Sequence, residues 1–441
     1  MPHTSKNIQN PRELSNRRID SPNTSEQAEY LNIGSVKLQI MREMVGNFMV
    51  KGNNRLFSFH IVLLIFAHLF NDFYAGFLIP LLSHFQTFLH LTITQVSVLP
   101  MVLAVFGSIL QPLFGIFGDK FNKKMFVVLG VLCSALFMSN ICFSPNFGTL
   151  IFMLIIGASG VASFHPNGAA SVAGLNNQNS TFMMSLFLMA GCVGLGGAPF
   201  IITSIVSVWG IHMLWVASFP GILLAILLYK RLPEVSRPEH RVSLFSIKLI
   251  FEKKSWPVWL MVFIMFLRSV VITSFMCFLS ILLTERGDSF QKSGIAISVF
   301  LISGTIGGLV GGYISDYVKR KIVIAASSMV ACPLLLCFLL GGGNYSLIFL
   351  SLSGITIFSA SAVNVLIVQE LCPGMASAVS GIAMGLVWGT AGLMLPIIGK
   401  LADLYSMQTA LQIVAYIAPI AGILVFLLPN LDKNKGILKE G

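Results

Sequence analysis

The chain has 441 residues, enough for two or three soluble domains at about 150 residues each, yet only 10% of them are charged, 55% are hydrophobic and the mean hydropathy is +0.84. A water-soluble surface takes roughly 25% charge, so the chain must use lipid as its solvent; a soluble enzyme, a nucleic-acid reader and a secreted disulfide scaffold are excluded. The net charge of +11 is of the kind that collects on the cytoplasmic face of a membrane protein, and the seven cysteines have no metal-type spacing and sit in or beside apolar runs, where Cys usually serves as packing.

Residues 1–55 are polar and rich in Asn, Ser, Arg and Glu; they cannot build a core and are read as a disordered cytoplasmic tail. From Phe57 onward, apolar runs of about 20 residues recur, each sufficient to span a bilayer. Twelve are predicted, at 57–83, 95–118, 124–143, 148–172, 181–208, 211–230, 257–283, 293–315, 321–340, 345–370, 377–400 and 408–429. They form an N-terminal bundle of six spans at 56–230, a basic cytoplasmic linker at 231–256, a second six-span bundle at 257–430 and a cytoplasmic tail at 431–441. With both termini inside, 24 of the 28 Lys and Arg fall on cytoplasmic segments, which is the orientation the positive-inside rule requires. The expected fold class is an all-α integral membrane protein of twelve transmembrane helices in two pseudo-symmetric bundles.

The two halves echo one another. Gly115-Ile-Phe-Gly-Asp119 is followed by Lys120, Lys123 and Lys124, and Gly312-Tyr-Ile-Ser-Asp316 by Lys319, Arg320 and Lys321, at an offset of 197 for both Gly and Asp. Each copy closes the second span of its half. Duplicated halves point to a transporter that rocks about a central site. Glycine at that edge lets helices approach closely, and an Asp there can accept from the free N–H groups of a neighbouring helix N-terminus. The expected partners are the start of helix 11 near Ser377 for Asp119 and the start of helix 5 near Thr181 for Asp316, which together would latch the halves; a static loop anchor is the alternative. Glycines run along helix 5 (Gly191, Gly194, Gly196, Gly197), helix 8 (Gly304, Gly307, Gly308, Gly311, Gly312) and helix 11 (Gly381, Gly385, Gly389, Gly392), as either static packing or a sliding surface.

Charge inside an apolar span costs about 2.5–3.5 kcal/mol on the insertion scale, so the buried polar groups are candidate function. His68, Asn71 and Asp72 share one face of helix 1 at i, i+3 and i+4. Arg268 in helix 7 lies one residue from the repeat equivalent of Asp72, and the two charges are expected to face one another across a cavity, as a proton- or substrate-sensitive pair or as a permanent structural one. In helix 4, Phe164-His165-Pro166-Asn167 sets His165 beside a helix-kinking proline; His165 is either a titrating group or a satisfied core histidine. Asn364 in helix 10 is its loose counterpart.

These motifs resemble those of the major facilitator superfamily and, within it, the fosmidomycin-resistance-type drug exporters, over most of residues 57–429. The carriers are His68-Leu-Phe-Asn71-Asp72, Gln111-Pro112-Leu-Phe-Gly115-Ile-Phe-Gly-Asp119-Lys120, Gly160-Val-Ala-Ser-Phe164-His165-Pro166 and Gly399-Lys-Leu-Ala-Asp403. The resemblance implies a proton-driven exporter, the two Asp loops as conformational latches, and Asp72 and His165 as central-cavity residues. Helix 5 reads Ala198-Pro199 where the antiporter-type motif has Gly-Pro.

The expectation is therefore a secondary transporter, with proton-coupled efflux of a small organic compound as the leading reading. Proton-coupled uptake of a small anion clamped by Arg268 is the rival, and an intramembrane transferase using His165 is a remote third. No nucleotide loop of the Gly-x-x-x-x-Gly-Lys type is present. Expected partners are the small-molecule substrate, protons and lipid, with no cofactor, metal or nucleic acid, in a monomeric protein of a bacterial inner membrane.

Overall fold

A computed structural model of the chain describes residues 59–175, 180–234, 256–343, 345–371 and 385–429. The predicted tails, residues 235–255 of the central linker and the start of helix 11 lie outside the described residues. Among those described, every regular element is helical, in twelve segments: α1 (Phe59–Phe88), α2 (Ile93–Lys120), α3 (Lys123–Ser139), α4 (Phe147–Leu175), α5 (Ser180–Trp209), α6 (Ile211–Arg231), α7 (Trp256–Glu285), α8 (Phe290–Ile314), α9 (Arg320–Leu340), α10 (Tyr345–Leu371), α11 (Val387–Leu404) and α12 (Met407–Leu427). Eleven are long and apolar enough to cross a membrane, and α3, with 17 residues, sits at the lower limit of about 17 for a span. Several start on short polar side chains that accept from the third backbone N–H onward: Thr92 before α2, with Gln95 bonding back to complete a capping box, Asn122 before α3, Ser289 before α8 and Ser406 before α12.

Packing repeats between the halves. The pairs α1–α5, α3–α4 and α3–α6 recur as α7–α11, α9–α10 and α9–α12, and two reciprocal contacts join the halves, α2 with α11 and α5 with α8. Small residues set the closest approaches. A Cβ on Gly130 would meet the Gly160 carbonyl at 2.9 Å and one on Gly160 would meet the Gly130 carbonyl at 2.8 Å, so α3 and α4 touch backbone to backbone. The helix 8 glycines Gly304, Gly307 and Gly311 pack on Phe358, Ile355 and Ser359 of α10 in their own half. Among the described residues, the glycines that face the other half are Gly385, Gly389, Gly392 and Gly399 toward α2, Gly196 of α5 against Ile302 of α8, and Gly294 of α8 against Pro199 and Thr203 of α5.

The buried apolar residues fall into three clusters. One is common to both halves and joins Phe73–Phe85 and Ile93–Val102 to Val270–Leu283, Ala296–Leu301 and Ala391–Ala418. The other two are separate, one within the N-terminal half (Ile61–Ala67, Val127–Val131, Phe187, Leu224–Leu232) and one within the C-terminal half (Val258–Met265, Val323–Ala325, Ala360–Leu371, Ala421–Leu428). Among the described residues the halves are thus fused at the end that carries the α1–α2 and α7–α8 turns and split at the end that carries Asp119 and Asp316. At the split end Ile116, Phe117, Tyr313 and Tyr317 are exposed and Gly312 has no neighbour within 4 Å of a built Cβ.

Candidate functional site

Helix α1 places His68 and Asp72 one turn apart on its inward face, and His68 Nε2 lies 3.3 Å from Asp72 Oδ2. Helix α4 brings His165, whose Nε2 lies 3.4 Å from Asp72 Oδ1. Asn71 donates to Asp72 Oδ1 at 3.2 Å and is itself held by Ser134 of α3, whose hydroxyl donates to Asn71 Oδ1 at 3.2 Å. Four of the six pathway residues expected from the sequence therefore meet in one cluster, drawn from α1 and α4 and braced by α3.

Helix α5 supplies the remaining walls. His68 Nδ1 is 2.7 Å from the Phe187 carbonyl, and the Phe187 ring lies 4.1 Å from the imidazole, centroid to centroid. One turn on, a Cβ at Gly191 would stand 2.5 Å from His68 Nε2 and 2.6 Å from Asp72 Oδ2; only glycine lets the α5 backbone close over the pair. The sequence marked Gly191 as part of a packing stripe, not as the roof of this cluster. His68 and Asn71 are buried, while Asp72 and His165 keep 15% and 25% of their side chains accessible.

The hydrogen-bond pattern fixes the chemistry. A carbonyl only accepts, so His68 Nδ1 carries the hydrogen and directs it to Phe187. In neutral His68 the lone pair on Nε2 then points at a carboxylate oxygen. Two acceptors at 3.3 Å in a low-dielectric interior repel one another unless a positive particle lies between them.

The expected Asp72–Arg268 pair is not formed. Arg268 is only 2% exposed, and its guanidinium is spent within its own half: on the Ser327 hydroxyl at 3.0 Å, the Ser328 hydroxyl, the Ile324 carbonyl at 3.5 Å and the Ile357 carbonyl. The reason is helical register. The offset of 197 maps Asp72 onto Ser269, and one residue is about 100° of rotation on a 3.6-residue turn, which swings Arg268 away into the α7–α9–α10 packing. The same offset maps Asn167, not His165, onto Asn364. Both asparagines are buried with an Oδ1 that finds no partner among the described residues, and Asn167 donates to the Phe114 and Ser163 carbonyls.

At the split end Asp119 pairs with Lys123 at 2.9 Å, Lys124 lies over the Tyr229 ring of α6, Arg320 pairs with Glu370 of α10, and Lys321 donates to the Leu428 carbonyl beyond α12. Lys124 and Lys321, equivalent by the offset, each tie the turn to the last helix of its own half. Asp119 and Asp316 are both exposed. The starts of helices 11 and 5, their expected partners, fall at Ser377 and Thr181, outside the residues whose contacts are described. At the fused end, by contrast, an unforeseen clamp joins the halves. Asp403, at the end of α11, accepts from the Ile93 and Thr94 amides at 2.8 and 2.9 Å and from the Thr94 hydroxyl at 2.5 Å. The predicted helix ended at 400 and α2 began at 95; the extra turn of α11 and the earlier start of α2 bring the acid to the helix N-terminus.

A family model described as Major Facilitator Superfamily matches residues 64–396. Among curated proteins the chain is 24% identical to an uncharacterized MFS-type transporter, YfnC, of Bacillus subtilis over 85% of this chain and 93% of that protein. It is 23% identical to the fosmidomycin resistance protein of Escherichia coli over 82% and 91%. Among solved structures, a bacterial homologue of the human lysosomal transporter Spinster, inward-facing and unoccupied, superposes with a TM-score of 0.74 at 13% identity, covering 86% of this chain and 98% of that one, a likeness of fold alone.

Proposed function

The chain belongs to the major facilitator superfamily, a multi-pass membrane transporter and not an enzyme, and on that premise we propose that it exports a small organic compound in exchange for protons. One observation carries the coupling: His68 Nε2 and His165 Nε2 each face an Asp72 oxygen while His68 Nδ1 is spent on the Phe187 carbonyl, so with His68 neutral the cluster needs a positive particle, and its two accessible members give a proton a route in and out. The packing supports alternating access. The halves are fused through α2–α11 and α5–α8 at one end and split at the other, and rocking about the small-residue contacts would exchange the two. The Lys and Arg at the split end argue that it faces the cytoplasm, which makes this the inward-facing state of an inner-membrane protein with both termini inside.

Export, and a drug-like cargo, rest on the likeness to a fosmidomycin resistance protein. The rival reading, uptake of an anion clamped by Arg268, gains nothing from a guanidinium already committed to protein acceptors. Proteoliposomes with an imposed proton gradient and fosmidomycin as probe test the proposal: flux should run against the proton movement, and Asp72→Asn should reduce gradient-driven flux at least a hundredfold while the protein stays folded. Undiminished gradient-driven flux in Asp72→Asn would remove the cluster from coupling, and cargo movement along with the protons would reverse the direction.

A further inference from the structure

The cluster that receives a proton has the donor set of a metal site. His68 Nε2, one Asp72 carboxylate oxygen and His165 Nε2 lie within 4.8 Å of one another. Two imidazoles and a carboxylate suit borderline divalent ions of the zinc class, which take N and O ligands at about 2.0–2.2 Å in tetrahedral geometry. Adjacent ligands on such a tetrahedron stand about 3.3 Å apart by that bond length. Each imidazole already stands at that separation from an Asp72 oxygen, His68 Nε2 from Oδ2 at 3.3 Å and His165 Nε2 from Oδ1 at 3.4 Å. Because the imidazoles face different oxygens, one ion is reached when the carboxylate turns to share a single oxygen and the His68–His165 gap tightens, and His165 is the most accessible member of the three.

The surroundings carry the argument further. A ligating histidine normally gives its other ring N–H to a carbonyl or carboxylate, which fixes the tautomer and aims the lone pair at the metal. His68 does this through Nδ1 and the Phe187 carbonyl. Ligating carboxylates are held in turn by hydrogen bonds, and Asn71, itself braced by Ser134, does this for Asp72. Phe164 and Phe187 pack against the His68 ring at 5.6 and 4.1 Å, which lowers the local dielectric on the protein side. The open side, where Asp72 and His165 are accessible, leaves a fourth position for water or an exchangeable donor.

We propose that His68, Asp72 and His165 bind one divalent ion of the zinc class, bridging α1 to α4 in the place the proton would take. The inference stands on the donor geometry and does not need the transport reading. The sequence alone predicted no metal, because spacing shows His68 and Asp72 on one helix but gives no sign that His165 joins them.

Equilibrium dialysis of the purified full-length chain against Zn2+ tests it, with Co2+ substitution as a spectroscopic readout. One saturable Zn2+ per chain is expected, with a Co2+ d–d spectrum of a four- or five-coordinate N/O site. His165→Ala and Asp72→Asn should each weaken that site at least tenfold, and Gly191→Ala should weaken it by placing a methyl against His68 Nε2. His212→Ala, remote from the cluster, should leave it unchanged. Because the ion bridges two helices, Zn2+ should raise the unfolding temperature of the parent protein and of His212→Ala but not of His165→Ala. No saturable binding, or a stoichiometry and affinity untouched in the His165→Ala, Asp72→Asn double variant, would overturn the proposal. Intact Zn2+ binding with no proton-driven flux would leave it standing and count against the transport reading alone.

Discussion

The two halves each carry a charge into the apolar interior at nearly the same place, and they resolve it in opposite ways. In the C-terminal half Arg268 is sealed and shared among two serine hydroxyls and two carbonyls. In the N-terminal half Asp72 has two imidazoles and an amide around it, one imidazole already commits its Nδ1 to a carbonyl, and Asp72 and His165 stay accessible. A satisfied charge is part of the scaffold. On the function proposed above, an under-compensated one is a binding site, because something mobile completes it. The duplication supplied two equivalent frames, and a one-residue shift in register decided which charge became which.

The widest gap between the halves should appear on mutation. Arg268→Met is expected to lower stability by about 3 kcal/mol, since it leaves the Ile357 carbonyl and other buried acceptors without a donor. It should cut transport of neutral and anionic compounds alike, in proportion to the folded fraction. Asp72→Asn should do the reverse, with coupled flux lost and the unfolding temperature nearly kept. Thermal unfolding in detergent beside flux in proteoliposomes reads both. Selective loss of anionic cargo in Arg268→Met would return that residue to the substrate path and erase the contrast.

A second contrast, between the fused and split ends, sharpens the same lesson. Asp403 on the α2 N-terminus is a charged acceptor on two amides and a hydroxyl, and it joins the halves only while that end is closed. Asp403→Asn keeps the shape and removes the charge. The loss should be about 1–2 kcal/mol from charge-assisted bonding and the helix dipole, appearing as a shift in population toward the state open at the fused end. Distance distributions between spin labels on the α1–α2 and α7–α8 turns would lengthen; unchanged distributions would reduce Asp403 to a local cap.

Most of this architecture was legible in the sequence. Twelve apolar runs, the Gly-x-x-x-Asp repeat and the i, i+4 placement of His68 and Asp72 are local signals that periodicity and spacing expose. What escaped depends on rotation about helix axes and on contacts between helices. A span assignment is uncertain by several residues, and one residue turns a side chain by about 100°; that is why Arg268 was set opposite Asp72 when it points into its own half. Gly191 read as a small residue among others, because nothing in α5 tells that His68 and Asp72 lie beneath it. Asp403 was visible as a motif residue but not as a clamp, since its partner amides on Ile93 and Thr94 belong to a helix start far away in the chain.

The smallest expected difference concerns the asparagines that the offset of 197 pairs. Asn167 holds the Phe114 carbonyl of α2 and the Ser163 carbonyl of its own helix through Nδ2, and its Oδ1 rests against Gly118. Asn167→Ala removes an interhelical donor and opens a gap there, at a cost of about 1–2 kcal/mol. Asn364 is also buried and shares the orphaned Oδ1, but among the described residues no side-chain hydrogen bond of its amide matches the two that Asn167 donates, so Asn364→Ala should change stability by less than about 1 kcal/mol. Unfolding temperatures of the two variants, measured side by side, give the order. If Asn364→Ala proved the more damaging, the orphaned oxygen would have a structural role in α10, and the asymmetry drawn between an open N-terminal half and a self-satisfied C-terminal one would not extend beyond Asp72 and Arg268.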